Sequence, residues 1–286
     1  MRRASADGTP IAFSRAGHGP PLILVDGALC HRGAGPNRAL AQRLSRDFTV
    51  LTYDRRGRGE SGDTAPYAVE REIEDIAALV ETVGGPVSLY GISSGGLLAL
   101  EAAARLADEV AKLVVYEIPF VVDESRPPVP QELAVQLDEL LAAGQRGAAV
   151  KLFMRDVVRL PSLLVGAMPA FPGWRSNKAL AHTLVYDIAV MGDTQRGGPL
   201  PAGRWSSGGV PALVLCGGRS PAWVRKGAVQ LAEVLPAAQH RTLDGQTHYA
   251  KAGALAPVLT EFFTGTTSQR VPGVEHSGCA RALAEV

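Results

Sequence analysis

Residues 86–104 read PVSLYGISSGGLLALEAAA, and this stretch constrains the architecture more tightly than any other. Val87 to Tyr90 is a short run of β-branched and apolar residues, which predicts a buried strand. The Ala- and Leu-rich run that begins at Ser94 predicts a buried helix. Between them, residues 91–95 read GISSG, a G-x-S-x-G pattern flanked by a strand and a helix. This context predicts a sharp turn that strains the backbone of Ser93 and exposes its hydroxyl group.

The residues around Ser93 favour a nucleophilic role for that hydroxyl. Gly91 and Gly95 have no Cβ atom, so the strand and the helix can approach each other on either side of the serine. The N-terminus of the helix directs backbone N–H groups and the positive end of its dipole at negative charge that develops beside Ser93. We therefore predict that Ser93 is a nucleophile; the alternative is a Gly/Ser turn that only joins a strand to a helix.

Length and composition limit the possible classes of protein. With 286 residues, of which 46% are hydrophobic, the chain can bury one large core or one core with an inserted subdomain. The net charge is +1, from 29 basic and 28 acidic residues, which gives no electrostatic reason to expect nucleic acid or an anionic membrane as partner. No apolar run approaches the roughly 18 residues that span a bilayer, and the N-terminus MRRASADGTP lacks the apolar core of a secretory signal.

The cysteines favour a reducing compartment. Cys30, Cys216 and Cys279 are an odd, scattered set without a C-x-x-C motif. Such a set predicts reduced thiols in a cytoplasmic protein and neither a disulfide framework nor a zinc site. We expect no metal and no cofactor.

Predicted strands and helices alternate along most of the chain. Apolar runs without internal alternation are typical of strands covered on both faces, and helical periodicity separates them. The alternation favours an α/β fold with an open, mostly parallel sheet and helices on both faces. The predicted strands are Arg3–Ala6 and Pro10–Arg15, joined by an Asp7-Gly8 turn, then Pro21–Val25, Phe48–Tyr53, Val87–Tyr90, Lys112–Glu117, Val210–Cys216 and Gln239–Leu243. The predicted helices, besides the one after Ser93, are Asn37–Leu44, Glu70–Val83, Pro221–Leu235 and Ala252–Phe263.

The alternation stops at Pro119. Residues 119–130 contain four prolines and no periodicity, and residues 131–191 show only helical patterns. We predict a core domain of residues 1–118 and 206–264, a helical cap of residues 119–205 inserted into it, and a flexible tail of residues 265–286. Most aromatic and Met side chains of the cap are expected to fill its own core. A few are expected to line an apolar substrate pocket, and the candidates are Met168, Trp174 and Tyr186.

A serine hydroxyl needs a general base to act as a nucleophile near neutral pH. His248 lies in the loop directly after the last predicted strand, at the carboxyl edge of the sheet where Ser93 is also expected. The alternative is a histidine of a surface loop. His31 follows the strand that ends at Val25 and is a candidate substrate contact. The other four histidines lie in positions that fit the site less well.

Four segments carry a resemblance to a known family: the loop at Asp26-Gly27, YDRRGRGESG at 53–62, GISSG at 91–95 and GQTH at 245–248. With them the chain resembles the α/β-hydrolases over about residues 12–119 and 208–263, with the family's cap insertion between. The motifs are specific to this superfamily and not to one substrate. The resemblance implies an eight-stranded, mostly parallel sheet and catalytic residues in the order Ser, acid, His along the chain.

The resemblance also implies an oxyanion hole made of two backbone N–H groups. One comes from Ser94, which follows the nucleophile, and the other from Ala28, which follows Gly27. Related proteins usually have His-Gly where this chain has Asp26-Gly27, a change that leaves the backbone donor in place and alters the charge beside it. We expect Asp54 to brace its own turn.

The third catalytic position departs from the family pattern. The usual acid follows the strand after the cap, where this chain has Ser220 in the sequence GGRSP, and no Asp or Glu occurs between Asp193 and Glu233. A serine cannot stabilise an imidazolium as a carboxylate does. Glu117, at the end of the strand after the Ser93 helix, is the best replacement. The alternatives are a solvated or salt-bridged glutamate at that strand end, and Asp123 is the second candidate for the acid.

The sequence therefore predicts a cofactor-free serine hydrolase that cleaves a carboxylic ester or a related acyl bond of a small-molecule substrate. Ser93 attacks, His248 transfers the proton and Glu117 orients His248. The cap shapes a pocket for a small or medium apolar acyl group. Two alternatives stay open: a catalytically degenerate ligand-binding member of the fold, and a lyase or C–C hydrolase on the same scaffold. The sequence leaves the oligomeric state open.

Overall fold

One eight-stranded sheet runs through the molecule, in a computed structural model that describes residues 1–206 and 209–265. The strands are β1 Arg2–Ala4, β2 Pro10–Ala16, β3 Pro21–Val25, β4 Thr49–Tyr53, β5 Val87–Ile92, β6 Val110–Tyr116, β7 Ala212–Gly217 and β8 Ala238–Leu243. Their order in the sheet is β1-β2-β4-β3-β5-β6-β7-β8. β2 pairs antiparallel with β1 and with β4, and all other pairs are parallel.

Helices cover both faces of this sheet. Because successive side chains of a strand point to opposite faces, each strand contributes to two cores. The helices are α1 Asn37–Leu44, α2 Val69–Glu81, α3 Ser94–Arg105, α4 Leu133–Ala142, α5 Arg146–Asp156, α6 Ser162–Ala167, α7 Trp174–Leu180, α8 Leu184–Met191, α9 Ala222–Val234 and α10 Ala252–Thr264. In β3, Leu22 and Leu24 belong to the apolar cluster that contains side chains of α1 and α10, whereas Ile23 and Val25 belong to the cluster that contains side chains of α2, α3 and α9. Within the described part of the chain, short 3-10 turns occupy Ala107–Glu109, Met168–Ala170 and Ala181–Thr183.

Helices α4 to α8, which we call the helical segment, lie between β6 and β7 in the chain. Their buried side chains, among them Leu137, Phe153 and Leu184, belong to the same apolar cluster as the α3 face of the sheet. In the stretch that follows the segment, the ring of Trp205 stacks on Phe120 with ring centroids 5.6 Å apart. The helical segment therefore extends the core of the sheet on the α3 side.

The structure corrects several predicted element bounds. The first strand ends at Ala4 and not at Ala6, because Ser5 starts a turn in which its N–H donates to the Thr9 carbonyl at 2.9 Å. The strand predicted for Lys112–Glu117 ends one residue earlier, because Glu117 adopts φ = +57°. The helix predicted for Glu70–Val83 ends at Glu81. Strand Pro21–Val25 and helix Asn37–Leu44 have the predicted bounds.

Two predictions fall on parts of the chain that the structure does not describe. Residues 266–286 of the predicted tail lie outside the described residues, and so does Cys279. Within the described residues Cys30 and Cys216 are free thiols. In the same part of the chain, no helix combines the length and the apolar character that a bilayer crossing requires.

Candidate active site

The turn between β5 and α3 holds Ser93 in a strained conformation. Its backbone has φ = +56° and ψ = −131°, a region that L-residues rarely occupy. The Ser93 N–H donates to the Tyr116 carbonyl at 2.9 Å, and the Ser93 carbonyl accepts from the Gly96 N–H at 2.9 Å. These two bonds fix the turn at the carboxyl end of β5, and Ser93 is partly exposed there.

The glycines on either side of Ser93 are required by close backbone approaches. A Cβ atom on Gly91 would overlap the carbonyl oxygen of Gly95 and would lie 2.6 Å from the Cα of Gly96. A Cβ atom on Gly95 would overlap the carbonyl of Asp26, in the loop after β3. The helix, the strand and this loop therefore meet at one point beside Ser93.

The loop of residues 26–31, which we call the β3 loop, lies directly against the serine. A Cβ atom on Gly27 would be 3.1 Å from the Ser93 Cβ and 3.6 Å from its Oγ. Within the described residues, the N–H of Ala28 donates to no other group. Ser94 is the first residue of α3, so its N–H has no intrahelical acceptor. Two backbone donors, one from each side, are thus available next to the Ser93 hydroxyl.

Glu117 lies beside His248, with Oε2 3.5 Å from the Nδ1 atom. The glutamate side chain is 1% exposed and the histidine is 41% exposed. Oε1 of Glu117 accepts hydrogen bonds from the Gly217 N–H at 2.6 Å and from the Ser220 hydroxyl at 2.7 Å. Among the described residues, Oε2 has no hydrogen-bond partner, and the His248 imidazole is the ionisable partner beside it. The arrangement is that of a buried carboxylate facing a half-exposed imidazole.

Tyr116 joins the serine turn to the histidine loop. Its carbonyl accepts from the Ser93 N–H, and its hydroxyl donates at 2.5 Å to the carbonyl of Thr247, the residue before His248. No hydrogen bond joins the Ser93 hydroxyl to His248 among the described contacts. Hydrogen bonds between a nucleophile and its base often align only in the substrate complex.

The carboxylate of Asp54 braces a turn, as the sequence predicts. Its Oδ2 accepts from the Glu60 N–H at 2.9 Å and from Arg32 Nε at 3.0 Å. Its Oδ1 accepts from the Arg32 N–H at 2.8 Å. All of its acceptor positions serve the loops after β3 and β4.

Of the predicted substrate contacts, the structure places only His31 on the β3 loop. Its N–H and carbonyl pair with Ala34, and its Nδ1 accepts from the Gly33 N–H at 3.2 Å. Tyr186, on α8, stacks on Tyr67 with ring centroids 3.9 Å apart and donates to the carboxylate of Asp63.

The other two predicted contacts lie in the helical segment. Trp174 lines a surface depression of about 800 Å³ between α5 and α7, together with Arg146, Lys151 and Lys178. Met168 is partly buried against the core. No described contact joins Trp174, Tyr186 or Met168 to Ser93 or His248, and their role toward substrate stays a prediction.

Sequence reasoning missed a cluster of buried charges behind the β3 loop. Arg55, Arg58, Glu72 and Asp187 are each 2% exposed or less. Two features of the sequence could have indicated this cluster. One is Asp187 within the apolar helix LVYDIAVM, because a charge buried in such a helix is costly without a partner of opposite charge. The other is the run RRGR at residues 55–58, which offers three arginines as partners.

Burial also changes the acidity of two groups of the β3 loop. It raises the pKa of Asp26 to about 7, although Arg58, the Asn37 N–H and Arg55 oppose the shift. Burial raises the pKa of the Cys30 thiol to about 12, and the nearby Asp26 carboxylate adds to that shift. Asp26 therefore titrates near neutrality, and Cys30 stays a thiol.

A comparison with known protein families covers the residues of this site. The model of a family described as "Alpha/beta hydrolase family" matches residues 26–258, which include every element of the site. The chain belongs to the α/β-hydrolase family. The crystal structure of an α/β hydrolase from Sphaerobacter thermophilus is 51% identical, covers 92% of this chain and 100% of its own, and superposes with a TM-score of 0.85.

Two curated relatives of this α/β hydrolase are an esterase and a lipase. The pimeloyl-[acyl-carrier protein] methyl ester esterase of Xanthomonas oryzae pv. oryzae is 32% identical over 145 residues, which are 50% of this chain and 55% of that protein. Lipase LipV of Mycobacterium tuberculosis is 33% identical over 109 residues, 38% of this chain and 41% of that protein. The alignments thus span about half the length of these relatives, and their names support hydrolase chemistry at the level of the family.

Proposed function

We propose that this α/β hydrolase is a serine hydrolase that cleaves a carboxylic ester or a related acyl bond of a small molecule. The observation that carries the proposal is the pairing of Glu117 with His248 at the sheet edge where the strained Ser93 turn ends. Strained backbone tends to persist where function requires it. Three of the four non-glycine residues with positive φ in the described chain are Leu29, Ser93 and Glu117, all in this region.

In the proposed reaction, His248 removes the proton from Ser93 Oγ as the oxygen attacks the carbonyl carbon of the substrate. The imidazolium that forms is stabilised by the Glu117 carboxylate 3.5 Å from its Nδ1. His248 then delivers the proton to the leaving alcohol, which leaves an acyl group on Ser93. A water molecule, deprotonated by the same imidazole, hydrolyses the acyl-enzyme and restores the serine.

The N–H groups of Ala28 and Ser94 are proposed to bind the oxyanion of the tetrahedral intermediate. The Ala28 N–H has no competing acceptor among the residues that the structure describes, and the Ser94 donor is at the positive end of the α3 dipole. Removing one such donor typically lowers kcat by about 10²- to 10³-fold. The helical segment, within the proposed cap of residues 119–205, would cover the apolar acyl group.

The environment of Glu117 favours catalysis over a degenerate, ligand-binding role. Ser220 stands where the family usually has its acid, so a degenerate site would leave His248 without a carboxylate. Here two donors occupy Oε1 of Glu117 and hold Oε2 toward the imidazole. A carboxylate buried in this way is costly unless a partner compensates its charge, and His248 is placed to be that partner.

Fluorophosphonate labelling followed by peptide mass spectrometry tests the proposal without knowledge of the substrate. The reagent modifies serines activated by a neighbouring base, so we expect one adduct on Ser93 and its loss in His248→Ala. Ser93→Ala is the negative control, and the melting temperature of each variant shows that it is folded. A folded wild-type protein that stays unlabelled at Ser93 would contradict the proposed function.

A further inference from the structure

The carboxylate of Asp187, on α8 of the helical segment, lies at the centre of the buried charge cluster. Its Oδ1 accepts from Arg55 at 2.8 Å and from the Ser94 hydroxyl at 2.7 Å, and its Oδ2 accepts from Arg58 at 2.7 Å. The side chain is completely buried. A residue of the helical segment is thus bonded to Ser94, whose N–H is one of the two donors beside Ser93.

The two arginines also hold the β3 loop. Arg58 Nη1 donates to the Gly27 carbonyl at 2.6 Å, and Arg55 Nη1 donates to the Asp26 carbonyl at 3.4 Å. Within the described residues, Asp187 is the carboxylate that pairs with both guanidinium groups, and Glu72 pairs with Arg55 alone. The loop is therefore connected through two arginines to one residue of α8.

The bond from Arg58 to the Gly27 carbonyl fixes the direction of the Ala28 N–H. The Gly27 C=O and the Ala28 N–H belong to one planar, trans peptide unit, in which they point in opposite directions. Because the Gly27 carbonyl points toward Arg58, the Ala28 N–H points in the opposite direction, away from Arg58. A charged donor on the carbonyl also polarises the peptide and strengthens its N–H as a donor.

We propose that Asp187 and Arg58 are positioning residues that aim the Ala28 N–H at the reaction oxyanion, while Asp187 also fixes Ser94 on the opposite side of the hole. This inference rests on the proposed serine chemistry. It assigns to the helical segment a part in stabilising the transition state, in addition to covering the acyl group. Neither residue touches the substrate in this scheme: both act through the Gly27–Ala28 peptide, and Asp187 also acts through Ser94.

The charge balance of the cluster allows this role. Two arginines, Glu72 and Asp187 give two positive and two negative charges in contact, so each buried ion is compensated. Burial opposes ionisation of Asp187, but Arg58, Arg55 and the Ser94 hydroxyl together hold its pKa below the ordinary value. Asp187 is therefore an anion at neutral pH, and it keeps Arg58 oriented toward the Gly27 carbonyl.

Arg56 provides a matched control. Arg56 lies in the loop after β4, as Arg58 does, and its side chain is as buried as that of Arg58. It pairs with Asp75 at 2.7 Å and with Asp7 at 3.0 Å. It also donates to the Arg71 carbonyl, and none of its described hydrogen bonds reaches the β3 loop. Replacing Arg56 by Lys thus removes comparable buried bonds without touching the Gly27–Ala28 peptide.

The test compares Arg58→Lys, Asp187→Asn and Arg56→Lys in steady-state hydrolysis of p-nitrophenyl butyrate, below the melting temperature of each variant. We expect Arg58→Lys to lower kcat by about 100-fold and Asp187→Asn by about tenfold, with KM within about threefold, because the lost interaction acts in the transition state. We expect Arg56→Lys to keep kcat within about threefold of wild type. Equal losses in Arg56→Lys and Arg58→Lys, or wild-type kcat in a folded Arg58→Lys, overturn the inference.

A second readout does not depend on turnover. In protein labelled with ¹³C-carbonyl Gly and ¹⁵N-Ala, only the six Gly-Ala peptides of the chain give carbonyl-coupled amide signals. The signal of Gly27–Ala28 is assigned as the one that disappears in Ala28→Ser. We expect this signal to shift in Arg58→Lys and in Asp187→Asn and to stay in place in Arg56→Lys. An unmoved signal in Asp187→Asn contradicts the positioning role even if Arg58→Lys does not fold. Failure of wild-type Ser93 to react with a fluorophosphonate rejects the serine chemistry instead, and the two failures are thereby distinguished.

Discussion

The hydroxyl of Ser220 donates a hydrogen bond of 2.7 Å to Oε1 of Glu117. The residue at the family's usual acid position thus supports a carboxylate that reaches the site from the neighbouring strand β6. β6 and β7 are adjacent and parallel, so their carboxyl ends present both positions to the same loop. In the proposed triad, the acid therefore lies at the end of β6 and not of β7, and it stays on the His248 side of the sheet edge.

Glu117→Gln is expected to lower kcat by about 10³- to 10⁴-fold with little change in KM. The amide cannot stabilise the imidazolium, and it favours the wrong tautomer of the imidazole. Steady-state kinetics with an aryl ester measure the effect. Asp123→Asn is the control, because Asp123 is half-exposed and pairs with Lys226. If Asp123→Asn abolishes turnover and Glu117→Gln does not, Asp123 is the acid.

Ser220→Asp should restore part of the activity that Glu117→Gln loses. The double variant places a carboxylate at the position that the resemblance assigns to the acid, and we expect at least a tenfold gain in kcat over Glu117→Gln. Ser220→Asp alone should be less active than wild type, because two buried carboxylates would then lie in contact. A double variant no better than Glu117→Gln would show that position 220 does not reach His248.

Asp26 makes the stability of the protein depend on pH. The folded state holds the proton up to a pKa of about 7, whereas the unfolded chain releases it near 3.8. The folded state therefore binds more protons between these values, and the free energy of unfolding falls as pH rises through this range. The carboxylate is buried, and one of its oxygens has no hydrogen-bond partner.

Asp26→Asn removes this titration and keeps an acceptor for the Asn37 N–H. Relative to wild type, the variant should gain stability as pH rises from 5 to 8, by up to about 3 kcal/mol, because wild type loses about 1.4 kcal/mol per pH unit between pH 5 and its folded pKa. Urea unfolding at several pH values measures the difference. Parallel pH dependence in the two proteins would show that Asp26 ionises with an ordinary pKa.

Cys30 should resist alkylation although it lies in the loop beside Ser93. Burial raises the pKa of its thiol to about 12, from an ordinary value of 9, which lowers the thiolate fraction near neutral pH by about 10³-fold. We expect iodoacetamide at pH 8 to modify Cys30 at least 100-fold more slowly in the folded protein than in urea. Peptide mass spectrometry separates Cys30 from the other cysteines, and equal rates in both conditions would refute the assignment.

Local patterns were sufficient to predict the sheet and the Ser93 turn. The mostly apolar runs of β3 and β5 and the glycines around Ser93 are short sequence features. The structure they specify depends on residues only a few positions apart, so it can be predicted from a single stretch of sequence. The pairing of Glu117 with His248 joins residues 131 positions apart. It was still predictable, because the carboxyl ends of parallel strands meet at one edge.

The charge cluster behind the β3 loop was not predictable in the same way. Asp187 meets Arg55 and Arg58 only because α8 packs on α3, and no periodicity in the sequence specifies that contact. The sequence contains the arginines at 55–58 and the aspartate at 187 in separate segments, and nothing in it links the two. Likewise the support that Ser220 gives to Glu117 depends on the register of β6 against β7. Side-chain partners that are not brought together at a shared sheet edge require the three-dimensional structure.

The position of Asp187 on the helical segment matters for chimeric enzymes. An exchange of the helical segment between relatives, made to change the substrate range, would delete the anion between Arg55 and Arg58. Glu72 would still pair with Arg55, but Arg58 would remain behind the β3 loop without a carboxylate partner. A transplanted segment therefore needs a carboxylate that occupies the place of Asp187.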